Sequence, residues 1–283
     1  MKTCVLFAVS IFEKRKLDVL RDYLQALERH FQNASIFVGV NYGTIDEAVR
    51  LIITSDLPIT YDFVPERLYC GSDASAYQLA LKLAKLSNKR YDLFWFVHTK
   101  GGVHERNHRK DFYIERFISQ RQRVENLFLA NPMIGAYGEL GISKSADRVT
   151  EWHTFNAQES LLSHCQSRYN FKVYFPYRHV HWSYIETFYA LSGDIMNTFL
   201  TMVDNDYFDN KITDRYYNEI FIPWLSGCYG KLPYVNYPIS FMYGDNLIDI
   251  TKQWIRDNDL DITRYQRLLV YEQEKYAIFY RQF

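Results

Sequence analysis

"YDLFWFVHT" (residues 91–99) is the stretch on which the reading of the fold turns. Leu93 to Val97 are uninterrupted apolar residues, with no polar position to mark a solvent-facing side. A half-exposed strand would alternate, so the run predicts a central parallel strand covered on both faces. It closes on His98-Thr99-Lys100-Gly101-Gly102, which is polar and glycine-rich. In doubly wound sheets that edge, outside the carboxyl ends of the strands, is where ligands bind.

Upstream, three strand–helix units lead into this strand. Residues 3–12 read as a buried strand, and "KLDVLRDYLQALERHF" sets Leu17, Leu20, Leu24 and Leu27 at helical spacing. "ASIFVGVNYG" reads as a second strand closed by Gly43, followed by a helix over about 44–54 with Asp46 and Glu47 in its first turn. "ITYDFVPE" reads as a third, more exposed strand. "SDASAYQLALKLAKLS" opens with Ser72 or Asp73 as N-cap and places Ala76, Leu79, Leu83 and Leu86 on one helix face. The β-α-β-α-β-α-β order predicts an α/β fold, a Rossmann-like and mostly parallel central sheet with flanking helices. Its ligand edge would be built from Ser10, Asn41 to Gly43, and His98 to Gly102.

Downstream, "RKDFYIERFISQRQRVENLFLAN" predicts one long amphipathic helix and "PMIGAYGELG" a strand and turn. Residues 143–180 carry no regular pattern, and the aromatic segment "KVYFPYRHVHWSYIE" ends that region. "TFYALSG" then reads as a strand, "DIMNTFLTMV" as a helix, and "TDRYYNEIFIPWLSGCYG" as a helix with Thr213 or Asp214 near its start. The tail over 245–283 is mainly helical in pattern. With no repeat, low-complexity tract or linker, one domain over 1–283 is expected: a first half at 1–110, a second at 111–244, and the tail.

The chain of 283 residues is 48% hydrophobic, enough to bury a sizeable core and to exclude a disordered chain. Aromatics reach 17%, roughly double the ordinary share. Their flat faces and polar edges suit sugar pockets and interfaces as well as a core. Basic and acidic residues balance at 33 each, which argues against a general nucleic-acid binder while allowing a local basic cluster. Cys4, Cys70, Cys165 and Cys228 are too scattered for a C-x-x-C motif and read as thiols of a reducing compartment. The apolar run from Cys4 to Phe12 is too short to span a bilayer and lacks a small-residue cleavage site, so a first strand is expected there and a cytoplasmic location for the protein.

Behind the central strand, His104-Glu105-Arg106-Asn107-His108 spells the H-E-x-x-H of zinc hydrolases. That motif works on a buried helix with apolar neighbours, whereas here Gly101-Gly102 and Arg109-Lys110-Asp111 flank it. The segment reads instead as a loop running into an exposed helix start. Lys100, His104, Arg106, His108, Arg109 and Lys110 concentrate positive charge in an otherwise neutral chain. Such a cluster at a strand end suits a diphosphate, with forked bonds from Arg and a point charge from Lys.

"YDLFWFVHTKGGVHERNHR" resembles the His-Thr-Lys-Gly segment of a group of GT-A-type glycosyltransferase-like proteins, among them algal and chlorella-virus sequences that build surface glycans. "GSDASAYQLALKLAKLSNKRYDLFWFV" is similar to the GT-A segment where a helix packs below the donor and leads into the fourth strand. "IETFYALSGDIMNTFL" resembles the acceptor-side strand and turn, and "FDNKITDRYYNEIFIPWL" the helix start that bears the catalytic carboxylate. The resemblance covers about residues 3–240, with the virus xylosyltransferases of capsid glycans nearest within the group. It implies a nucleotide-sugar-binding first half, an acceptor-side second half, a UDP-sugar donor such as UDP-xylose, and an oligosaccharide or glycoprotein acceptor.

The resemblance has one departure. GT-A enzymes usually carry a metal-holding Asp-x-Asp after the fourth strand, and here that position reads His98-Thr99-Lys100. Asp204-Asn205-Asp206 and Asp257-Asn258-Asp259 have the spelling but follow no apolar strand and read as surface turns. Two routes stay open: neutralisation of the departing diphosphate by Lys100 with Arg106 or Arg109, or a Mn or Mg ion held by His98 and more distant carboxylates. An inverting transfer needs one carboxylate as base. The resemblance favours Asp214, whose other reading is a helix N-cap, with Glu219 and Glu186 next. Asp73 is expected to meet the donor sugar or to cap its helix; Ser10, Asn41 and Tyr42 lie where base and ribose would rest, with Gly101 allowing close backbone approach. His179, His181 and Trp182 are candidates to shape the acceptor pocket. Two other readings remain: a carbohydrate- or nucleotide-binding module that has lost activity, and the zinc hydrolase.

Overall fold

The computed structural model describes residues 1–99, 107–130, 132, 134–141, 183–212 and 232–235. The strands are β1 (Thr3–Val9), β2 (Ser35–Val40), β3 (Ile59–Phe63), β4 (Leu93–His98), β5 (Ile134–Gly141), β6 (Ser183–Ser192) and β7 (Leu232–Val235). The helices are α1 (Leu17–His30), α2 (Asp46–Ile53), α3 (Asp73–Leu86), α4 (Asn107–Arg116), α5 (Arg121–Ala130), α6 (Gly193–Met202) and α7 (Asn205–Asp209). The strands form one sheet in the order β3-β2-β1-β4-β6-β5-β7. β6 is antiparallel to both neighbours, and the other pairings are parallel. The expected α/β, mostly parallel architecture is therefore the observed one.

Strand alternation divides the core into two layers. Cys4, Leu6 and Ala8 of β1 and Phe94 and Phe96 of β4 pack with α3 and α6. Val5, Phe7 and Val9, with Leu93, Trp95 and Val97, pack with α1, α2, α4 and α5. Every residue of β4 is buried, as its unbroken apolar run requires. Trp95 is fully buried, its ring 5.1 Å from Phe31 and 4.6 Å from Phe117. The edge strand β3 is largely exposed, as its composition suggested.

Three expectations are corrected. The buried face of α3 is Ala74, Ala76, Tyr77, Ala80, Leu81 and Ala84, not the leucine stripe; Leu79 and Leu83 pack at its margin and Leu86 is exposed. Small residues face the sheet because α3 crosses β2 closely at Gly39, where a Cβ would stand 2.0 Å from the Ala76 carbonyl oxygen. The long helix after residue 108 is broken. α4 ends at Arg116, Phe117 leaves helical geometry (φ −121°, ψ −63°), and a 3-10 turn at Ile118–Gln120 restarts the chain into α5. The break turns Phe117 into the core against Trp95 and Phe188 while Val124 and Phe128 of α5 stay buried. Finally, β6 begins at Ser183, so Glu186 lies within that strand and not before it.

After β1, β2 and β3 step to one side, the chain crosses through α3 to put β4 on the other side of β1. β1 and β4 thus flank the point where strand order reverses, the place a ligand occupies in open α/β sheets. Among the described residues no helix is long and apolar enough to cross a membrane. The tail over 245–283, expected to be mainly helical, lies outside the described residues.

Of the described cysteines, Cys4 is buried in β1, where burial pushes its thiol well above the ordinary value. Cys70 is half-buried in the loop before α3. In native protein, a thiol reagent is expected to label Cys70 and to spare Cys4 until denaturant is added. Peptide mapping of the labelled chain checks this, and rapid native labelling of Cys4 would contradict it.

Candidate functional site

The carboxyl ends of β1, β2 and β4 converge on the first residue of α3. Ser10 follows β1, Asn41 follows β2, His98 ends β4 and Thr99 follows it; all four are buried. Backbone bonds carry the strand ends outward together, with Asn41 N donating to Val9 O at 2.9 Å and Thr99 N to Ala8 O at 3.1 Å. Ser10 N donates to Thr99 Oγ1 at 3.0 Å, which ties β1 to β4 at the switch point.

Side chains extend this frame into one network. Ser10 Oγ donates to Asp73 Oδ1 at 2.9 Å, and Asn41 Nδ2 donates to Ser10 Oγ at 2.7 Å. His98 Nδ1 lies 2.7 Å from Asp73 Oδ2, with side-chain exposures of 6% for His98 and 31% for Asp73. Asp73 therefore bridges two strands and is not the helix cap: Ser72 is, accepting from Ala74 N at 3.2 Å. The start of a 14-residue helix favours an anionic side chain, so Asp73 sits where its carboxylate is stabilised. Phe188 of β6 and Tyr77 of α3 pack at 4.8 and 6.3 Å from the His98 ring.

Asn41 Nδ2 also donates to the Ser72 carbonyl at 3.1 Å. A carbonyl can only accept, so the amide orientation is fixed and both N–H groups are spent. Asn41 Oδ1 is then left buried with no hydrogen-bond partner among the described residues. An unpaired buried acceptor costs about 1–3 kcal/mol, so it marks a place where an incoming donor would be repaid. Beside it Tyr42 is 46% exposed, its ring 6.2 Å from that of Tyr69 and tilted by 49°. Burial first, then the Asp73 carboxylate and Cys70, push the Tyr69 phenol above its ordinary value.

Ser10, Asn41, Asp73, His98 and Thr99, named from sequence, thus fall into one network, with Tyr42 on its rim. Tyr69, Cys70, Ser72 and Ser75 were missed. Ser75 Oγ accepts from Cys70 N at 2.8 Å and donates to Leu68 O at 3.0 Å, which folds this loop onto the helix start. A loop closed by a half-buried Ser-Asp-x-Ser helix start was the signal available. Lys100, Gly101, His104, Glu105, Arg106, His179, His181, Trp182, Asp214 and Glu219 lie outside the described residues, as does Asp257-Asn258-Asp259. His108 and Arg109 fall in the first turn of α4. Lys110 leaves the cationic cluster: it pairs with Asp22 of α1 and sits 3.3 Å from Asp111. Burial works to lower its pKa, but those two carboxylates outweigh it and the net direction is up. β6 runs past the carboxyl end of β4, since Tyr189 pairs with Phe96 and the strand is antiparallel, so the backbone carrying Glu186 lies toward the network's edge. Asp204 caps α7 by accepting from Tyr207 N at 3.3 Å, in keeping with a surface turn.

A divalent cation is what the family resemblance implies, and the described side chains do not fit one. No group of three or more His, Cys, Asp or Glu is gathered among the described residues. Asp73 is the carboxylate of the network, and its two oxygens already serve Ser10 and His98. Mn and Mg take oxygen ligands, so this set is a poor first offer. A separate cavity of about 330 Å³ at the opposite end of β4 is lined by Asp92, Ser192, Asp194 and Asn197. These polar groups are spent on the fold: Asn197 Nδ2 on Tyr91 O at 2.7 Å, Asp92 on Lys2 N at 2.6 Å, and Asp194 on Ser192.

No family model and no curated protein matches this chain. Among solved structures it is similar to core-mannan synthase A from Aspergillus fumigatus in a Mn/GDP form, at 11% identity, with 82% of this chain and 70% of that chain covered and a TM-score of 0.38. A likeness that distant assigns no chemistry here.

Proposed function

We propose that this chain is a GT-A-type glycosyltransferase that moves a sugar from a nucleotide-sugar donor to a glycan acceptor. The observation that carries the reading is the network of Ser10, Asn41, Asp73, His98 and Thr99 at the switch point of the sheet. It joins the sequence's own pointers, the His-Thr-Lys-Gly strand end and the basic residues that follow it. In this reading the donor's base rests against Tyr42 and Tyr69 and gives an N–H to Asn41 Oδ1. Its diphosphate lies beyond His98 and Thr99 toward Lys100, Gly101, Arg106 and Arg109. A UDP-sugar is the donor class, with UDP-xylose the first to test, and the acceptor is a surface glycan of the kind built by chlorella viruses. Asp214 acts as base in an inverting transfer, with Glu219 and Glu186 the other candidates.

Calorimetric titration with UDP, GDP and their sugars, in EDTA and again with Mn²⁺, tests the reading. Nucleotide binding that survives EDTA is expected, because cationic side chains can neutralise a diphosphate without a metal. Binding confined to Mn²⁺ would keep the transferase and move the metal ligands to residues beyond the network. No nucleotide binding in either buffer would overturn it.

A further inference from the structure

We propose that the exposed edge strand β3 is a binding surface for a neutral oligosaccharide, with Phe63 and Tyr61 as its stacking rings and Asp62 as its hydroxyl acceptor. The inference rests on the proposed function for the origin of that saccharide, the outer sugars of the acceptor glycan, and on the strand for the site.

The edge is exposed, yet closed to a partner strand. Val64 N donates to Val40 O at 2.8 Å, so the N–H groups in step with Val64 turn toward β2. Alternation along the strand turns those of Ile59, Tyr61 and Phe63 outward. Two of these three donors are already taken locally: Ile59 N by Leu57 O and Phe63 N by Asp62 Oδ1, each at 2.8 Å. A strand added by a second copy would have to break both bonds. It would also meet the Asp62 carboxylate, a charge of the kind by which sheet edges resist pairing.

What the edge does offer is chemistry suited to a sugar. Phe63 is 50% exposed, and its ring meets that of Tyr61 at 5.8 Å and 87°, so the two form a corner. Tyr61 is half-buried against the core layer that includes α1 and α2, which fixes the corner in place. The C–H face of a pyranose is apolar and faintly positive, and it stacks on the negative face of an aromatic ring. Sugar hydroxyls in turn donate to a carboxylate. Only Oδ1 of Asp62 is held by the backbone, and among the described residues nothing claims Oδ2 at the exposed edge. The same charge repels acidic glycans and anionic lipid, so the occupant is a neutral saccharide.

The surface adjoins the switch-point network. Phe63 stands in register with Val40, and Asn41 and the exposed Tyr42 follow Val40 at that end of the sheet. A glycan laid along β3 therefore has one end at the ligand edge and its other sugars on the strand.

The test is a ¹H–¹⁵N NMR titration with xylotetraose, mannotetraose, maltotetraose and cellotetraose, run with and without UDP. At least one tetrasaccharide should shift the amides of Tyr61, Asp62 and Phe63 together. Phe63→Ser should weaken its binding by about 10-fold or more, the worth of an aromatic stacking partner, and leave UDP affinity at the wild-type value. Phe63→Leu keeps the apolar bulk without the ring and should bind as poorly; it carries the test if circular dichroism shows that the Ser variant does not fold. Failure of every tetrasaccharide to bind overturns the inference, as does wild-type affinity in both variants. Shifts confined to Tyr42 and the network overturn it while the transferase reading stands. Dimerisation through β3 in analytical ultracentrifugation, abolished by Phe63→Ser, overturns it in favour of a contact between copies. Saccharide binding at Phe63 with no binding of UDP or GDP upholds the surface and sinks the nucleotide-sugar reading instead.

Discussion

Gly39→Val is expected to leave the chain without a stable native state. A Cβ at Gly39 would stand 2.0 Å from the Ala76 carbonyl oxygen, 2.6 Å from its carbon and 2.9 Å from its Cα. These are backbone atoms in the second turn or so of α3, with no flexible side chain to yield. Relief would require α3 to lift off β2. The helix is fastened there by Ala74, Ala76, Tyr77 and Ala80 below, and by Lys85 and Gln78 bonds to the α6–α7 segment. Overpacking a core commonly costs about 1–3 kcal/mol when side chains can adjust. A clash with helix backbone belongs above that range even for Gly39→Ala, and Val adds two methyl groups. Against a net stability of about 5–15 kcal/mol, the Val variant should appear as insoluble or molten protein. The Ala variant should unfold at markedly lower urea. Gly71→Ala is the control, since Gly71 has a left-handed φ of +81° and no described atom within 4 Å of a new Cβ. Its loss should stay near the ~1 kcal/mol of a backbone misfit. Equal midpoints for Gly39→Ala and Gly71→Ala would contradict the argument.

The same contact shows what the sequence could and could not disclose. The unbroken run from Leu93 to Val97 identified a doubly covered strand because burial on both faces leaves a direct mark on composition. The polar residues at three strand ends followed from topology alone, and four of them, Ser10, Asn41, His98 and Thr99, do meet with Asp73 of α3 in one network. The face of α3 was read wrongly for a physical reason. Hydrophobicity favours Leu79, Leu83 and Leu86, yet closeness to β2 at Gly39 admits alanines and pushes leucines to the margin. Periodicity reports that a helix has a face; it does not report how near the neighbour stands.

The break between α4 and α5 was hidden for a related reason. No Pro or Gly marks it, and what ends α4 is the pull of the Phe117 ring into the pocket beside Trp95. That is a tertiary cause, invisible to local propensity. Lys110 was placed with the basic cluster because it is adjacent in sequence, but helix geometry turned it toward Asp22. Asp73 was readable as a cap or a ligand contact. Its bridging role depends on two strand ends brought together only by the fold. Register was equally hidden at Glu186, since β6 starts earlier than its apolar core suggested.

Asp214→Asn is expected to abolish sugar transfer while leaving donor binding and stability intact. The loss should be about 10²- to 10⁴-fold in kcat, the usual worth of a positioned general base. Asn discriminates between the two roles open to this residue, because it caps helices as well as Asp does but cannot take a proton. If Asp214 is only an N-cap, the variant should turn over like wild type and melt at the same temperature. The described chain just before it is firmly placed on α3. Lys82 pairs with Asp209 at 2.8 Å, Gln78 Nε2 donates to Asn210 O at 3.0 Å, and Ile212 is buried in the α3 core. Up to Ile212 the chain is thus held on the helix whose first residue, Asp73, lies against His98. Full transfer by Asp214→Asn alongside a 10²-fold loss in Glu219→Gln or Glu186→Gln would move the base to that residue. Wild-type protein that binds UDP tightly, yet neither transfers nor hydrolyses any UDP-sugar, would instead make the chain a nucleotide-binding module on a transferase scaffold.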